Sequence, residues 1–330
     1  MPIVASDASL QPAAATAALG NIANNAAALV ETRLVRFTRR QRSSTWLIGA
    51  ARQSEGLPAD SEGEDWVRPP RPARCRWRVG ETVGVHGPAA PGGLGHFSGL
   101  ERCGSIWACP VCSAVIRAGR AREIARALDA AHDLGHGVAF VTLTLRHSES
   151  DALETNLETL AEAWRSLTSW RAWKRLRERL GVVGLIRSTE ITYGGFGWHP
   201  HAHLVMVTER PLTEDQRAAF EGELASLWQR AVAKRSAVVP SLARGVDVRL
   251  ADGAGTAVSE YLAKVQEHDG VPRRSVALEL ARGDLKRGRA GSVMPFELLD
   301  DVSGGYTRDF TQDGAPQAFI YDAAQNYAKA

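Results

Sequence analysis

Apolar side chains recur along this chain at two spacings, and each spacing predicts its own kind of element. Recurrence every three to four residues predicts amphipathic helices at residues 111–134, 151–180, 213–235 and 256–268. Strict alternation and β-branched residues predict strands at residues 138–147, 182–193, 198–207 and 246–250. A glycine-rich turn at residues 194–197 separates the second strand from the third, so these two strands should form an antiparallel hairpin.

Three of the nine histidines occupy alternate positions at the start of the third strand. His199, His201 and His203 should therefore share one face of the sheet, while the other face holds the apolar set Ala202, Leu204 and Met206. A single histidine in a strand is more often a satisfied core residue than a ligand. Three on one face favour a divalent metal site. The predicted hairpin brings Glu190 near them, where its carboxylate could complete or support that site.

The first hundred residues carry weaker signals. Residues 1–30 are rich in alanine and asparagine with little periodicity, which predicts disorder or a weak helix. Residues 31–50 are basic and predict a helix, whereas prolines and glycines make residues 51–100 loop-like. Irregular stretches of this length are uncommon in compact domains unless another part of the structure holds them in place.

A cysteine cluster directly follows this loop-like stretch and is the candidate for holding it in place. Cys109 and Cys112 form a CxxC turn, which presents two thiolates to one zinc ion, and Cys103 precedes them. The fourth ligand is open among Cys75, His86 and His96, of which Cys75 is favoured. Such a site would be structural, because four protein ligands leave no position for substrate. The alternative is a set of buried free cysteines.

The net charge is only +3, but the basic residues are clustered. Residues 33–42 and 68–78 each hold five arginines and no acid, and residues 165–180 hold six basic residues against one glutamate. Any single run is usually a solvated face, but three together suit a polyanion such as nucleic acid. The predicted DNA contacts are Arg165, Arg171, Lys174 and Arg175. Trp170 lies near them and could stack on a base, although a helical tryptophan is more often core.

Targeting signals are not evident in the sequence. No stretch reaches the roughly eighteen uninterrupted apolar residues of a transmembrane helix. The N-terminus lacks the basic and then apolar order of a secretory signal. Three of the four cysteines are clustered, which favours a metal site over a disulfide framework. These observations predict a cytoplasmic protein without a membrane partner.

A metal on the histidine face would polarise a phosphodiester oxygen, and Mg²⁺, Mn²⁺ and Zn²⁺ all suit such a donor set. The reaction then needs a nucleophile, either water or a tyrosine that links covalently to DNA. Tyr261, on a helix that follows the sheet, is the best placed of the five tyrosines. Lys264 shares its helix face and could pair with the phosphate or favour the phenolate. A Tyr-x-x-Lys pair alone is usually structural and gains weight only from the histidines.

The order of three segments resembles the motifs of the rolling-circle replication initiators, members of the HUH endonucleases. The segments are Phe140-Val141-Thr142-Leu143-Thr144, Gly197-Trp198-His199-Pro200-His201-Ala202-His203 and Tyr261-Leu262-Ala263-Lys264. The cysteine segment at residues 102–112 and the tail at residues 282–299 look like those of actinobacterial plasmid Rep proteins. The resemblance covers roughly residues 100–300.

The resemblance implies an α+β fold in which about five antiparallel strands form a central sheet flanked by helices. A cysteine-rich element with structural Zn²⁺ lies N-terminal to that sheet. His201 and His203 would bind Mg²⁺ or Mn²⁺, with His199 or Glu190 as the third ligand. Tyr261 would nick one strand of plasmid origin DNA, gripped first as duplex and then cut as a single strand.

The resemblance also implies that the protein acts together with a host helicase and a host polymerase. One position departs from the pattern, because some relatives carry a water-activating glutamate one helical turn before the tyrosine. Here that turn holds Thr256, Ala257 and Val258.

The implied organisation has four parts: a disordered or weakly helical N-terminus (residues 1–30), a basic region with the cysteines (31–135), a nuclease core (136–270) and a basic C-terminal extension (271–330). A relaxase or transposase with the same chemistry is the nearest alternative. A non-catalytic zinc-containing DNA-binding protein is the rival from another class, in which Tyr261 would be a core residue. A metallonuclease that uses water would leave Tyr261 dispensable.

Overall fold

The computed structural model describes residues 13–57, 67–87, 95–250 and 292–298. Within these ranges the helices are α1 (Ala13–Ser54), α2 (Pro110–Asp133), α3 (Leu153–Ser169), α4 (Arg171–Arg179) and α5 (Glu214–Val232). The strands are β1 (Gly84–His86), β2 (His96–Ser98), β3 (Gly137–Thr144), β4 (Val182–Gly194), β5 (Gly197–Thr208) and β6 (Val246–Leu250). No helix among the described residues combines the length and apolar character that a membrane span requires.

The main sheet is antiparallel, with the strand order β4-β5-β3-β6. It has four strands within the described part of the chain, where the resemblance led us to expect about five, and β1 and β2 form a separate two-stranded ribbon. The predicted hairpin of β4 and β5 is confirmed. It turns through Gly197, whose φ of +80° and close approach to the Glu149 backbone exclude a side chain.

One face of the sheet packs against α3, α4 and α5 and forms the main core. Alternate residues of the central strands lie on this face, and among the most deeply buried are Val141, Leu143, Ala202, Leu204 and Met206. From α5 they meet four residues that the sequence predicts as inward-facing: Phe220, Leu224, Leu227 and Trp228. A capping box at Thr213 and Gln216 begins α5.

The opposite face of the sheet is covered in part by α2. Leu128 packs there against Phe140 of β3 and Val205 of β5. Helical periodicity places Val115 on the apolar face of the predicted helix and Arg117 off it, which is wrong at the N-terminal end of α2, because Val115 is 64% exposed while Arg117 is buried. The guanidinium of Arg117 lies 5.0 Å from the ring of Trp107 and its Nε donates to Ser113, and these contacts make its burial tolerable.

The predicted long helix at residues 151–180 is wrong, because it is two helices. Trp170 adopts an extended backbone conformation (φ −77°, ψ 142°) between α3 and α4. The turn allows Trp173 and Leu176 of α4 to bury fully in the main core. No proline or glycine marks the break, so the sequence carries no local signal for it.

The helix α1 begins at Ala13 and includes residues 31–50, where the sequence predicts a helix. The region predicted to be loop-like contains the short strands β1 and β2. Ser43 donates to the carbonyl of Ala108 and Ser44 to that of Ala73, which ties α1 to the cysteine-containing segments.

Residues 292–298 dock at the hairpin end of the sheet. Val293 forms an antiparallel bridge with Tyr193 on the outer edge of β4. Val293 and Leu298 are buried together with Ile191 and Trp198. This cluster lies behind the hairpin, on the sheet face opposite to the histidines.

Candidate metal centres

The three histidines lie on β5, a central strand with β3 on one side and β4 on the other. His203 sits between Thr142 of β3 and Ser188 of β4, and His201 lies opposite Glu190 of β4. Directly paired residues point to the same face of a sheet. The histidines, the threonine and the glutamate therefore share the face that α2 covers only in part.

Glu190, His201 and His203 converge on one point, and we call them the histidine group. The Oε2 atom of Glu190 lies 2.7 Å from Nε2 of His203 and 3.3 Å from Nε2 of His201. Their donor atoms all lie within 4.8 Å of one another. Ligand atoms bound about 2.1 Å from a metal ion stand about 3 Å apart, so this spacing is the one a coordination sphere needs. The group could hold a divalent cation.

His203 is held firmly in place. It is buried, its ring stacks on Phe140 at 5.1 Å between centroids, and its Nδ1 lies 3.2 Å from the Thr142 hydroxyl. Because Nε2–H faces the Glu190 carboxylate, the Thr142 hydroxyl donates to Nδ1. With a cation on Nε2, the proton would move to Nδ1 and the direction of this hydrogen bond would reverse.

His199 stands next to the histidine group but pairs with a different residue. Its Nδ1 lies 2.6 Å from Nε2 of His147, whose Nδ1–H donates to the carbonyl of Phe196. The His199 Nδ1–H must then be the donor, which leaves Nε2 with a free lone pair. Burial, together with neighbouring His201 and His147, lowers the pKa of His199 to about 4, so the ring is neutral at physiological pH.

His147 is a residue that the sequence predictions missed. His147 falls within the strand predicted at residues 138–147, but β3 ends at Thr144, so His147 lies in the segment that follows the strand. Thr144 pairs with His201, which places this segment beside the part of β5 that carries His199. Alternation could not place His147 here, because continued pairing would set residue 147 opposite Trp198, on the core face of the sheet.

The four cysteines form a second group, which we call the cysteine group. The Sγ atoms of Cys75, Cys103, Cys109 and Cys112 all lie within 4.8 Å of one another. Cys75 is thus the favoured fourth member. The other two candidates, His86 and His96, are exposed and stack on each other in the β1–β2 ribbon. Cys109 also caps the N-terminus of α2, where its Sγ accepts from the backbone N–H of Cys112.

The pKa values of three thiols in the cysteine group are shifted. Burial raises the pKa of Cys103 to about 12. The hydrogen bond between the Cys109 and Cys112 side chains raises the pKa of Cys109 and lowers that of Cys112. Without a metal ion the protein thus opposes ionisation of Cys103 and Cys109 and favours it at Cys112. A Zn²⁺ ion would deprotonate its thiol ligands outright and remove this conflict, so the donor set fits zinc.

The predicted DNA contacts lie away from both groups. Exposed positions on α3 and α4 hold Arg165, Arg171, Lys174 and Arg175. These helices cover the core face of the sheet, and the histidine group lies on the other face. Trp170 packs against the main core, and the Lys234 ammonium lies 4.9 Å from its ring centroid. Its ring is therefore already engaged within the protein.

A cleft of about 340 Å³ runs along the outer edge of β4. Trp107 and Arg120 line one side of the cleft, and Ser188 and Thr189 line the other. Ser188 is paired with His203, so the cleft lies directly beside the histidine group. An aromatic ring and an arginine side chain next to a strand edge suit the bases and phosphates of a single strand.

The predicted nucleophile Tyr261 and its partner Lys264 lie outside the described residues. Tyr193 is the one tyrosine within them, and it is on the core face of β4, packed edge-on against Trp198. Burial, and secondarily Glu149, raises the pKa of Tyr193 to about 12. A buried phenol of this kind is poorly suited to act as a nucleophile.

These features define an α+β protein with two separate groups of side chains that can each hold a metal ion. A family model described as "Replication protein" matches residues 101–267, which include the histidine group and three of the four cysteines. The match spans half of the chain, and the chain therefore belongs to this family of replication proteins.

Two of the similar proteins come from Streptomyces species. "Protein rep" of Streptomyces lividans is 36% identical over 261 residues, covering 64% of this chain and 56% of that protein. A "Neomycin resistance protein" of Streptomyces cyanogenus is 38% identical over 145 residues, covering 36% of this chain and 33% of that protein.

"Aconitate hydratase A" of Corynebacterium jeikeium matches 23% of this chain but only 8% of its own length. The chain thus spans about half or less of each of these relatives. No solved structure matches it.

Proposed function

We propose that this protein initiates rolling-circle replication of a plasmid by nicking and rejoining one DNA strand at the double-strand origin. The observation that carries the proposal is the histidine group on the central strand β5 of a chain that belongs to a replication protein family. The name of the Streptomyces lividans relative points the same way.

The residues that would hold a Mg²⁺ or Mn²⁺ ion are Glu190, His201 and His203, with His199 beside them as a further imidazole. Such an ion supplies Lewis-acid polarisation of a phosphodiester oxygen. Glu190 lies between the His201 and His203 rings as the carboxylate of the group, and Thr142 fixes the orientation of His203. Three protein ligands leave coordination positions open for the substrate phosphate.

Tyr261 is the proposed nucleophile. Its phenolate oxygen attacks phosphorus, an O–P bond to the tyrosine forms, and the bond to the 3′ oxygen breaks, so that the leaving 3′ oxygen takes up a proton. The phosphotyrosine conserves the energy of the broken bond, and a 3′-hydroxyl can attack it to rejoin the strand. Lys264 would stabilise charge on the phosphate or the phenolate.

One observation on described residues supports this role for Tyr261. Tyr193 is buried with a raised pKa, so it is a poor candidate for the same task.

The proposed partners follow from this chemistry. The cleft beside β4 would receive the single strand next to the histidine group. The exposed basic residues of α3 and α4 would contact flanking duplex, because they lie on the other side of the sheet. The free 3′ end is a primer for a host polymerase, and a host helicase would unwind the duplex ahead of it.

The test is a nicking assay that traps the covalent product. Labelled single-stranded oligonucleotides tiled across the plasmid origin are incubated with the protein and Mn²⁺, Mg²⁺ or EDTA, then run on a denaturing protein gel. We expect a labelled protein adduct that requires the metal and is lost in Tyr261→Phe. The matched control Tyr193→Phe should retain it.

Other outcomes of this assay identify the alternatives. Cleavage without an adduct, unchanged in Tyr261→Phe, would replace the proposal with a metallonuclease that uses water. Duplex binding without cleavage of any oligonucleotide, with metal only at the cysteine group, would indicate a non-catalytic zinc-containing DNA-binding protein. Strand transfer at a mobilisation origin or a transposon end would point to a relaxase or a transposase.

A further inference from the structure

A cavity of about 680 Å³ lies between α1, the start of α2 and the β1–β2 ribbon. Five arginines line it: Arg33, Arg36, Arg40, Arg76 and Arg102. None of the described residues that line this cavity is acidic. The nearest carboxylate along the chain, Glu101, is paired with Arg74 at 3.2 Å. The described lining of this cavity, which we call the arginine cavity, therefore concentrates positive charge.

Two of these arginines have buried nitrogens that need a partner. Nε and Nη2 of Arg40 and Nε of Arg76 are shielded from solvent and make no hydrogen bond to any described residue. Guanidinium groups stay charged at all physiological pH values, and a buried charge is costly unless it is paired. An anion in the cavity would offset the charge of these two guanidinium groups.

The backbone at Arg76 points to the same conclusion. Its φ of +70° is the one left-handed value among the described residues other than glycine. Such a conformation is strained for a side chain with a Cβ atom and persists only where the surroundings enforce it. Here Cys75 of the cysteine group precedes it, and its own N–H donates to the carbonyl of Glu101 at 2.7 Å. With the backbone in this conformation, the Arg76 side chain lines the cavity.

We propose that the arginine cavity binds the phosphodiester backbone of duplex DNA and is the grip on the origin that precedes nicking. Arginine forks match phosphate oxygens in bidentate geometry. The neighbouring ribbon exposes Val85 and Phe97, and a two-stranded ribbon fits the major groove of duplex DNA. The inference rests on the proposed function only in taking DNA as the partner.

This site is separate from the histidine group. Val111 and Ala114 at the start of α2 line the arginine cavity, whereas Leu128 near the end of α2 packs on the sheet. Of the five arginines, only Arg102 lies within the residues that the replication protein family model matches. The two sites can therefore be tested independently.

The experiment measures binding of the full chain to a labelled duplex of mixed sequence by fluorescence anisotropy at several salt concentrations. The double variant Arg33→Gln/Arg102→Gln removes two exposed cavity arginines, so it should not disturb folding. The matched control is Arg122→Gln/Arg126→Gln, which removes the same charge from exposed positions on α2 outside the cavity.

We expect the cavity variant to bind the duplex about fivefold or more weakly and to lower the salt slope by about one to two. The control should shift neither value, and both variants should form the tyrosine adduct on a single-stranded oligonucleotide as the unaltered protein does. Equal duplex affinity and slope in the two variants would overturn the proposal. So would a loss of adduct formation in the cavity variant, because the cavity would then serve the cleaved strand. Failure of the adduct in every protein, with duplex binding still dependent on the cavity, would reject only the nicking function.

Discussion

The histidine group and the cysteine group have similar donor spacing but lie in different kinds of structure. The histidine group is built across two neighbouring strands of one sheet, and its Glu190 and His201 side chains remain 13% exposed. The cysteine group is assembled from two chain segments far apart in sequence, and Cys75 and Cys109 are buried to 1% exposure or less. Three ligands, two of which retain access to solvent, suit chemistry, whereas four thiols, three of which are buried, suit a structural ion.

In this molecule the nitrogen and oxygen donors lie at the more exposed group, and the sulfur donors lie at the more buried one. Nitrogen and oxygen donors on a rigid sheet can exchange Mg²⁺ or Mn²⁺ with solvent, while thiolates retain Zn²⁺. The cysteine group also caps α2 through Cys109, so thiolates held there by an ion would stabilise the N-terminus of the helix that covers part of the histidine face.

Metal removal should produce the largest contrast between the two groups. Brief treatment with EDTA should abolish adduct formation while about one zinc per chain remains, because the histidine group is open and the cysteine group is closed. Elemental analysis of the desalted protein, alongside the adduct assay, measures both. Added Mn²⁺ should restore the adduct. If EDTA removed zinc and activity together, the two groups would not differ in how firmly they hold a metal ion.

Single substitutions should separate chemistry from stability. His203→Ala should slow nicking about a thousandfold, because a bound Lewis acid lowers the activation barrier by several kcal/mol and the variant would lose that effect. Its Tm should fall by only about 5 °C or less, since one side chain on a preformed sheet is altered. Single-turnover kinetics and calorimetry give the two numbers.

Cys112→Ser should show the reverse pattern. The loss of a thiolate weakens zinc binding and lowers Tm by about 10 °C or more, because metal binding there contributes directly to folding. The remaining folded fraction should nick at a rate near that of the unaltered protein. A variant that keeps its Tm but loses nicking would assign the cysteine group to the chemistry instead.

A smaller effect is expected from the residue that orients His203. Thr142→Val removes the hydroxyl 3.2 Å from Nδ1 and should weaken Mn²⁺ binding at the histidine group about tenfold. Thr144→Val is the matched control, since its hydroxyl donates to the carbonyl of Arg244 instead. Titration of Mn²⁺ against nicking rate measures the difference. Equal affinities in both variants would remove Thr142 from the site.

The smallest effect concerns pH and the ring of His199. Burial lowers its pKa from 6.5 to about 4. Between these two pH values the ring is therefore protonated in the unfolded chain but neutral in the folded protein. The free energy of unfolding contributed by this ring should be constant above pH 6.5 and decline by on the order of 1 kcal/mol towards pH 4. Urea unfolding in EDTA should show this decline reduced in His199→Gln but retained in His132→Gln, an exposed control. An unchanged decline in His199→Gln would mean that other groups cause it.

Alternation of residue types was sufficient to predict much of the sheet. A strand is predicted at residues 138–147 and found at Gly137–Thr144, and the strand predicted at residues 246–250 is found there. The hairpin around Gly197 follows from glycine placement. The face shared by His201 and His203 follows from the same two-residue period. Glu190 could be placed near them because a short hairpin fixes the register of its two strands.

Features that depend on contacts between distant segments could not be predicted in this way. The partnership of His147 with His199 needs the register of β3 against β5, and the break at Trp170 needs the shape of the core. The burial of Arg117 depends on Trp107, which a helical wheel does not contain. The arginine cavity likewise needs the packing of α1 against α2, although two of the basic runs that build it are visible in the sequence.

The docking of residues 292–298 has a consequence for how the chain folds during synthesis. Val293 closes the edge of β4 by pairing with Tyr193, a hundred residues earlier, so the hairpin is made long before its last neighbour leaves the ribosome. Until then Ile191 and Trp198 lack part of their apolar cover. Contacts of such long sequence separation form late and slowly. Nascent or truncated chains that end before Ser292 should therefore expose an adhesive apolar surface and depend on chaperones to stay in solution.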